Sequence, residues 1–271
     1  MVRQPVVAGQ FYPGTAEGLR AMITRLVEVG AKREEALGVV IPHAGYVYSG
    51  YVAGAVISRI KLKDVFIIMG PNHTGMGKAF AIMAGGTWRT PLGDVEIDSR
   101  LAKMVLSETE HLEDDDVAHL FEHSIEVQVP FLQYFLPEVR IVPMVLSHAR
   151  LAVYREIGGA LARAVKQYGG GVVLLASSDM THYEPHESAK KKDSQAIEAI
   201  LKLDEEELMR RVTELDISMC GYAPVACLIA ACKELGAKTA ELVKYQTSGD
   251  TSGDYRRVVG YAGVIVKWNT V

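Results

Sequence analysis

Three separate apolar runs in this chain finish on side chains that can bind a metal or move a proton. "VVIPH" delivers His43, "VFIIMGPNH" delivers His73, and "VVLLASSDMTH" delivers Asp179 and then His182. In open α/β sheets the ligand crevice lies outside the carboxyl ends of the strands, so residues remote in sequence meet there. A single histidine after a strand often does no more than cap a helix or satisfy a carbonyl. Four such groups on three runs argue for one shared site. Neutral imidazoles beside an anionic donor are what a divalent transition metal requires, and a metal is the simplest expectation.

Two further stretches carry chemistry. In "LFEHSIEVQ", His123 and Glu126 stand three apart and share one face if the helix has already begun at His123, with Glu122 off that face. His123 then reads as a ligand or as a group that holds one, and Glu126 alternatively closes the helix N-terminus by a capping bond. In "SMCGYAPV", Cys220 precedes Gly221 at a helix start, where the helix dipole favours a thiolate. It reads as a soft ligand, a nucleophile or plain packing. Cys227 and Cys232, in "PVACLIAACKEL", read as buried helix packing. Tyr46, Tyr48 and Tyr183 are candidates to wall the site, while Asp250 and Asp254 of "SGDTSGD" read as turn residues.

The elements that must position these groups follow from hydrophobic period. Short Val/Ile-rich runs alternate with helical patterns, which is the α/β signature. Helices are expected near "YVAGAVISRI", from Asp98 as N-cap, over "SIEVQVPFLQYF" and "LAVYREIGGALARAVKQY", and from Ser188, Glu205 and Tyr222 onward. "TWRTPLGDVEID" reads as a hairpin, and "AELVKYQTS" and "VVGYAGVIVK" as two closing strands. The expected fold is a single-domain three-layer αβα sandwich over residues 1–271, with a mixed, largely parallel central sheet.

Composition sets the outer limits. With 49% hydrophobic and 23% charged residues the 271-residue chain has material for one large core, and no linker composition divides it. A formal net charge of -4 gives no electrostatic footprint for nucleic acid. The longest apolar run is too short to cross a bilayer, and the N-terminal stretch lacks a signal-like apolar core, so a cytoplasmic protein without a membrane segment is expected.

The ordered set "PVVAGQFYPG", "IPHAGYVYSG", "GPNHTG", "FEHSIEVQVPFLQ", "SSDMTHY", "MCGYAPV" and "KYQTSGD" with "VVGYAG" resembles the Memo family, named for a mediator of receptor-driven cell motility. The likeness spans essentially the whole chain. It implies a fold similar to class III extradiol dioxygenases, which use non-haem Fe(II), and it implies His43, His73 and Cys220 as metal ligands. Asp179 and His182 would stand beside the metal, His182 in the place of those enzymes' acid/base histidine. Their third ligand is a carboxylate where this sequence offers Cys220, and a thiolate softens the site toward Fe(II) or Cu. The family's animal members are associated with phosphotyrosyl receptor tails, and this chain has "QFYPG" where the animal pattern has a tryptophan near Phe11.

The expected function is therefore a metal-dependent redox protein of unassigned substrate, with His123, Asp179 and His182 as catalytic candidates. A peptide- or protein-binding module using the same cleft is the alternative, and an extradiol dioxygenase a further one. The expected partner is a small molecule or a protein, and the fold makes a homodimer reasonable.

Overall fold

Along the inner strands nearly every residue is buried, and successive side chains enter opposite cores. Val40, Ile67 and Leu174 pack into one hydrophobic cluster, whereas Val39, Ile68 and Leu175 pack into the other. A strand buried on both faces must lie between two layers of helices, which accounts for the unbroken apolar runs in the sequence.

The computed structural model describes residues 1–268. The chain begins with β1 (Val2–Arg3), α1 (Ala16–Leu26), β2 (Gly38–Ile41), α2 (Tyr46–Arg59), β3 (Val65–Pro71) and β4 (Phe80–Ile82). It continues through β5 (Thr87–Thr90), β6 (Gly93–Glu96), α3 (Ser99–Ser107), β7 (Glu113–Asp114), α4 (Val129–Phe135) and β8 (Arg140–Leu146). Then come α5 (Leu151–Tyr168), β9 (Val172–Ser177), β10 (His182–Glu184), α6 (His186–Leu201) and α7 (Glu205–Glu214). It closes with α8 (Tyr222–Glu234), β11 (Thr239–Thr247), α9 (Gly249–Ser252) and β12 (Val258–Lys267).

Among the described residues the main sheet has nine strands, ordered β10-β12-β2-β9-β3-β8-β4-β7, with β11 also paired to β12. Its centre, β2-β9-β3-β8, is parallel; β12 on one side and β4 on the other run antiparallel to their inner neighbours. Helices α3, α5, α6, α7 and α8 cover one face, and α1, α2 and α4 the other. This is the expected mixed αβα sandwich. The hairpin β5–β6 does not join it. It pairs with β1 as a separate three-stranded sheet whose Trp88 and Val95 belong to the α1/α2/α4 core.

Several local signals act as anticipated. The Asp98 side chain caps α3 by accepting from Leu101 N at 2.8 Å, and α5 occupies the predicted segment, ending on Gly169 in the left-handed region. One expectation needs correction. The helix over "SIEVQVPFLQYF" is not continuous: a 3₁₀ turn covers Glu126–Gln128, and the α-helix starts only at Val129, with Pro130 in its first turn, where a missing N–H costs nothing. His123 therefore lies on a loop, and the helical face shared with Glu126 does not exist.

Candidate metal centre

Because β9 lies between β2 and β3, the carboxyl ends of three adjacent parallel strands open at one edge. His43 follows β2, His73 follows β3, and the "SSDMTH" segment leaves β9. The loop before α4 adds His123. Donor atoms of His43, His73 and His123 all lie within 4.8 Å of one another. The rings of His73 and His123 stack at 4.7 Å between centroids, and His43 stands edge-on to both, at 5.2 and 5.5 Å.

The hydrogen bonds behind the rings fix which nitrogen faces the cluster. The Ser177 hydroxyl donates its single proton to Ser124 O at 2.7 Å and accepts from Gln128 Nε2 at 2.8 Å. Its 2.9 Å contact with His43 Nδ1 must then have the imidazole as donor, which leaves His43 Nε2 as a lone pair, with the Cys220 Sγ 3.2 Å from it. Glu122 does the same for His73. Its buried carboxylate accepts from His73 Nδ1 at 2.9 Å, from His73 N at 2.7 Å and from Ser124 N at 2.9 Å. This is the orienting shell that a metal-binding histidine needs.

Burial holds two of the donors, His43 and His123, toward the neutral form that a metal needs. Burial, followed by the neighbouring His73, His123 and His182, keeps His43 well below the ordinary imidazole range. Burial also lowers His123, against the opposing charge of Glu122. Burial pushes Glu122 up, but the bonds from His73 and Ser124 outweigh it and bring its carboxyl down to about 2.

Cys220 lies on the cluster's flank, its Sγ 3.2 Å from His43 Nε2 and 3.3 Å from Asp179 N. Burial, with the nearby Asp179 charge, pushes its thiol well up, so the helix-dipole argument for a ready thiolate does not hold in the metal-free protein. Gly221 allows this approach: a Cβ there would sit 2.4 Å from Ser177 O. Gly70 does the same for the His123 loop, since a Cβ on it would be 2.2 Å from Ser124 Oγ.

The remaining predicted residues surround this group. Asp179 is buried with Oδ1 accepting from His43 N at 2.7 Å; burial raises its carboxyl to about 6 in spite of that bond. His182 donates its Nδ1–H to Ser218 O at 2.8 Å, and its N–H goes to Ser218 Oγ at 2.7 Å, leaving Nε2 free. Next to it Tyr183 takes a positive φ of 61°, an uncommon conformation for a bulky residue and one that tends to mark functional sites. Tyr183 and Tyr48 are exposed, whereas Tyr46 is buried with its hydroxyl donating to Val127 O.

Sequence reasoning overlooked Glu122, Ser177 and Gln128. A carboxylate directly before a histidine was the available signal for Glu122. Its partner is 49 residues away, so no helical spacing could reveal it.

Comparison with known proteins places the whole chain in one family. The model of the Memo-like protein family matches residues 3–265. The chain belongs to the Memo family. It is 48% identical to a MEMO1 family protein of Pyrobaculum aerophilum, covering 97% of this chain and 98% of that one. It is also 47% identical to a MEMO1 family protein of Methanococcoides burtonii, covering 98% and 100%. An uncharacterized protein of Escherichia coli K12 shares the fold in its crystal structure, with a TM-score of 0.52 at 15% identity over 84% of this Memo chain and 98% of that one. No helix among the described residues is long and apolar enough to cross a membrane.

Proposed function

We propose that this Memo-family chain is a metal-dependent redox protein that holds iron or copper between His43, His73 and His123, with Cys220 as an added soft donor. The observation that carries the reading is the pair of fixed tautomers: Ser177 and Glu122 each occupy an Nδ1–H, so that His43 and His73 offer Nε2 lone pairs to a shared point. Neutral imidazoles and a thiol suit a transition metal and not a hard cation such as magnesium or calcium. The resemblance implies His43, His73 and Cys220 as ligands. The geometry supports adding His123 to that set.

Bound iron or copper would supply the redox change. The protein's own part is to orient the donors and to offer a proton relay. His182, with Nδ1 tied to Ser218 O, presents Nε2 as an acid/base group. Asp179 is committed to the backbone of His43, which makes it a positioning residue in this arrangement. The two buried carboxylates beside the cluster, Glu122 and Asp179, are both turned onto protein groups. That favours a thiolate-bearing redox site over a strict extradiol dioxygenase, which needs a carboxylate ligand.

The test is anaerobic titration of purified apoprotein with Fe(II) and with Cu(I). Saturable binding of a single equivalent is expected, abolished in His43→Ala, with Cys220→Ser weakening Cu(I) more than Fe(II). Absence of binding to either metal, or equal binding by His43→Ala, would sink the reading.

A further inference from the structure

His43 and His73 are delivered by strands, but His123 sits in a loop with no regular structure to hold it. Its support comes from residues more than a hundred positions earlier. The Arg3 side chain is wholly buried, and its guanidinium donates from Nε to His119 O at 3.1 Å and from Nη2 to Glu122 O at 2.7 Å, while Nη1 pairs with Glu126. The Trp88 ring closes the cage, 4.3 Å from the guanidinium carbon. Glu126 in turn accepts from Val6 N at 2.9 Å, Val7 N at 3.1 Å and Tyr12 hydroxyl at 2.6 Å. Further along the same segment, Phe11 packs edge-on against His123 at 5.1 Å, and its carbonyl accepts from Tyr46 N at 2.7 Å.

We infer that residues 3–12 form a strap that sets the position of the metal-site loop, with Arg3 and Phe11 as its positioning residues. Resting on the metal reading above, the strap acts through two routes. The planar guanidinium spans the carbonyls of His119 and Glu122 and so fixes the backbone from which Glu122 reaches His73. Phe11 limits the swing of the His123 ring. A lysine keeps the charge of Arg3 but cannot bridge two carbonyls and a carboxylate in one plane. The strap is thus a device for geometry beyond charge neutralisation.

The test uses the full chain carrying Arg3→Lys, with its fold checked by circular dichroism. In the metal-free protein, nitrogen-15 spectra of the histidine rings are expected to show shifted His73 and His123 signals and an unchanged His43. With Co(II) as probe, the affinity should fall about 10-fold, the lower end of what outer-shell partners contribute, and the d–d bands should change. Wild-type ring signals or wild-type Co(II) affinity in the folded variant would overturn the strap. Should Arg3→Lys not fold, Phe11→Ala, outside the buried ion pair, is judged by the same two readouts. If the wild-type protein itself binds no Co(II), the ring spectra alone decide the strap, and the metal reading stands or falls by the Fe(II) and Cu(I) titrations above.

Discussion

Glu122 accepts three hydrogen bonds, two from His73 and one from Ser124 N, and it accepts all three only as a carboxylate. Replacing it with glutamine would turn an amide donor toward at least one N–H. Glu122→Gln should stay folded and lose about 10- to 100-fold in metal affinity, read by anaerobic titration. Wild-type affinity in that variant would remove Glu122 from the site. The same contacts give an acid dependence with a defined sign. The carboxyl lies at about 2 in the folded protein against an ordinary 4.5, so its contribution to stability is complete above 4.5 and is lost as pH falls toward about 2. The stability gap between wild type and Glu122→Gln, from urea unfolding at several pH values, should therefore narrow across that window.

At the scale of elements, the strand ends matter less than how closely loops can approach them. The Cys220 loop presses on the end of β9, and the Ser177 carbonyl that a Gly221 Cβ would meet is backbone, which no rotamer change can move. Gly221→Ala should cost about 1–3 kcal/mol in urea unfolding, the range of overpacked sites, and draw Cys220 away from His43. Its Cu(I) affinity should then approach that of Cys220→Ser; an unchanged affinity would show that the thiol takes no part. The sequence revealed β2, β3, β9, α5 and β12 because their hydrophobic periods are local and their ends carry turn residues or caps. It also named all three clustered histidines. What it hid was non-local. The Glu126 side chain, for which a helix cap is one of two readings of the sequence, instead binds residues 3–12, and the sheet containing β1 depends on pairing between residues 2–3 and 87–88. No window along the chain contains such contacts.

For the whole molecule, the question is whether the small β1-β5-β6 sheet and the two cores form one cooperative unit. Along β3, Phe66 faces one core and Ile67 the other, and the same alternation holds in β2 and β9. Unravelling any of these strands removes packing from both cores together. Trp88 of the small sheet is fully buried within the core that contains Phe66, Ile68 and Ile125, so the small sheet has no independent interior. These shared surfaces predict a single unfolding unit even at a length where separate domains are common. Trp268→Phe would leave Trp88 as the only tryptophan. Its fluorescence and the far-UV circular dichroism should then report the same urea midpoint. A Trp88 transition at clearly lower urea would mean that the small sheet, and the Arg3 strap attached to it, melts first. The loop carrying His123 would then be the earliest part of the metal centre to lose its geometry.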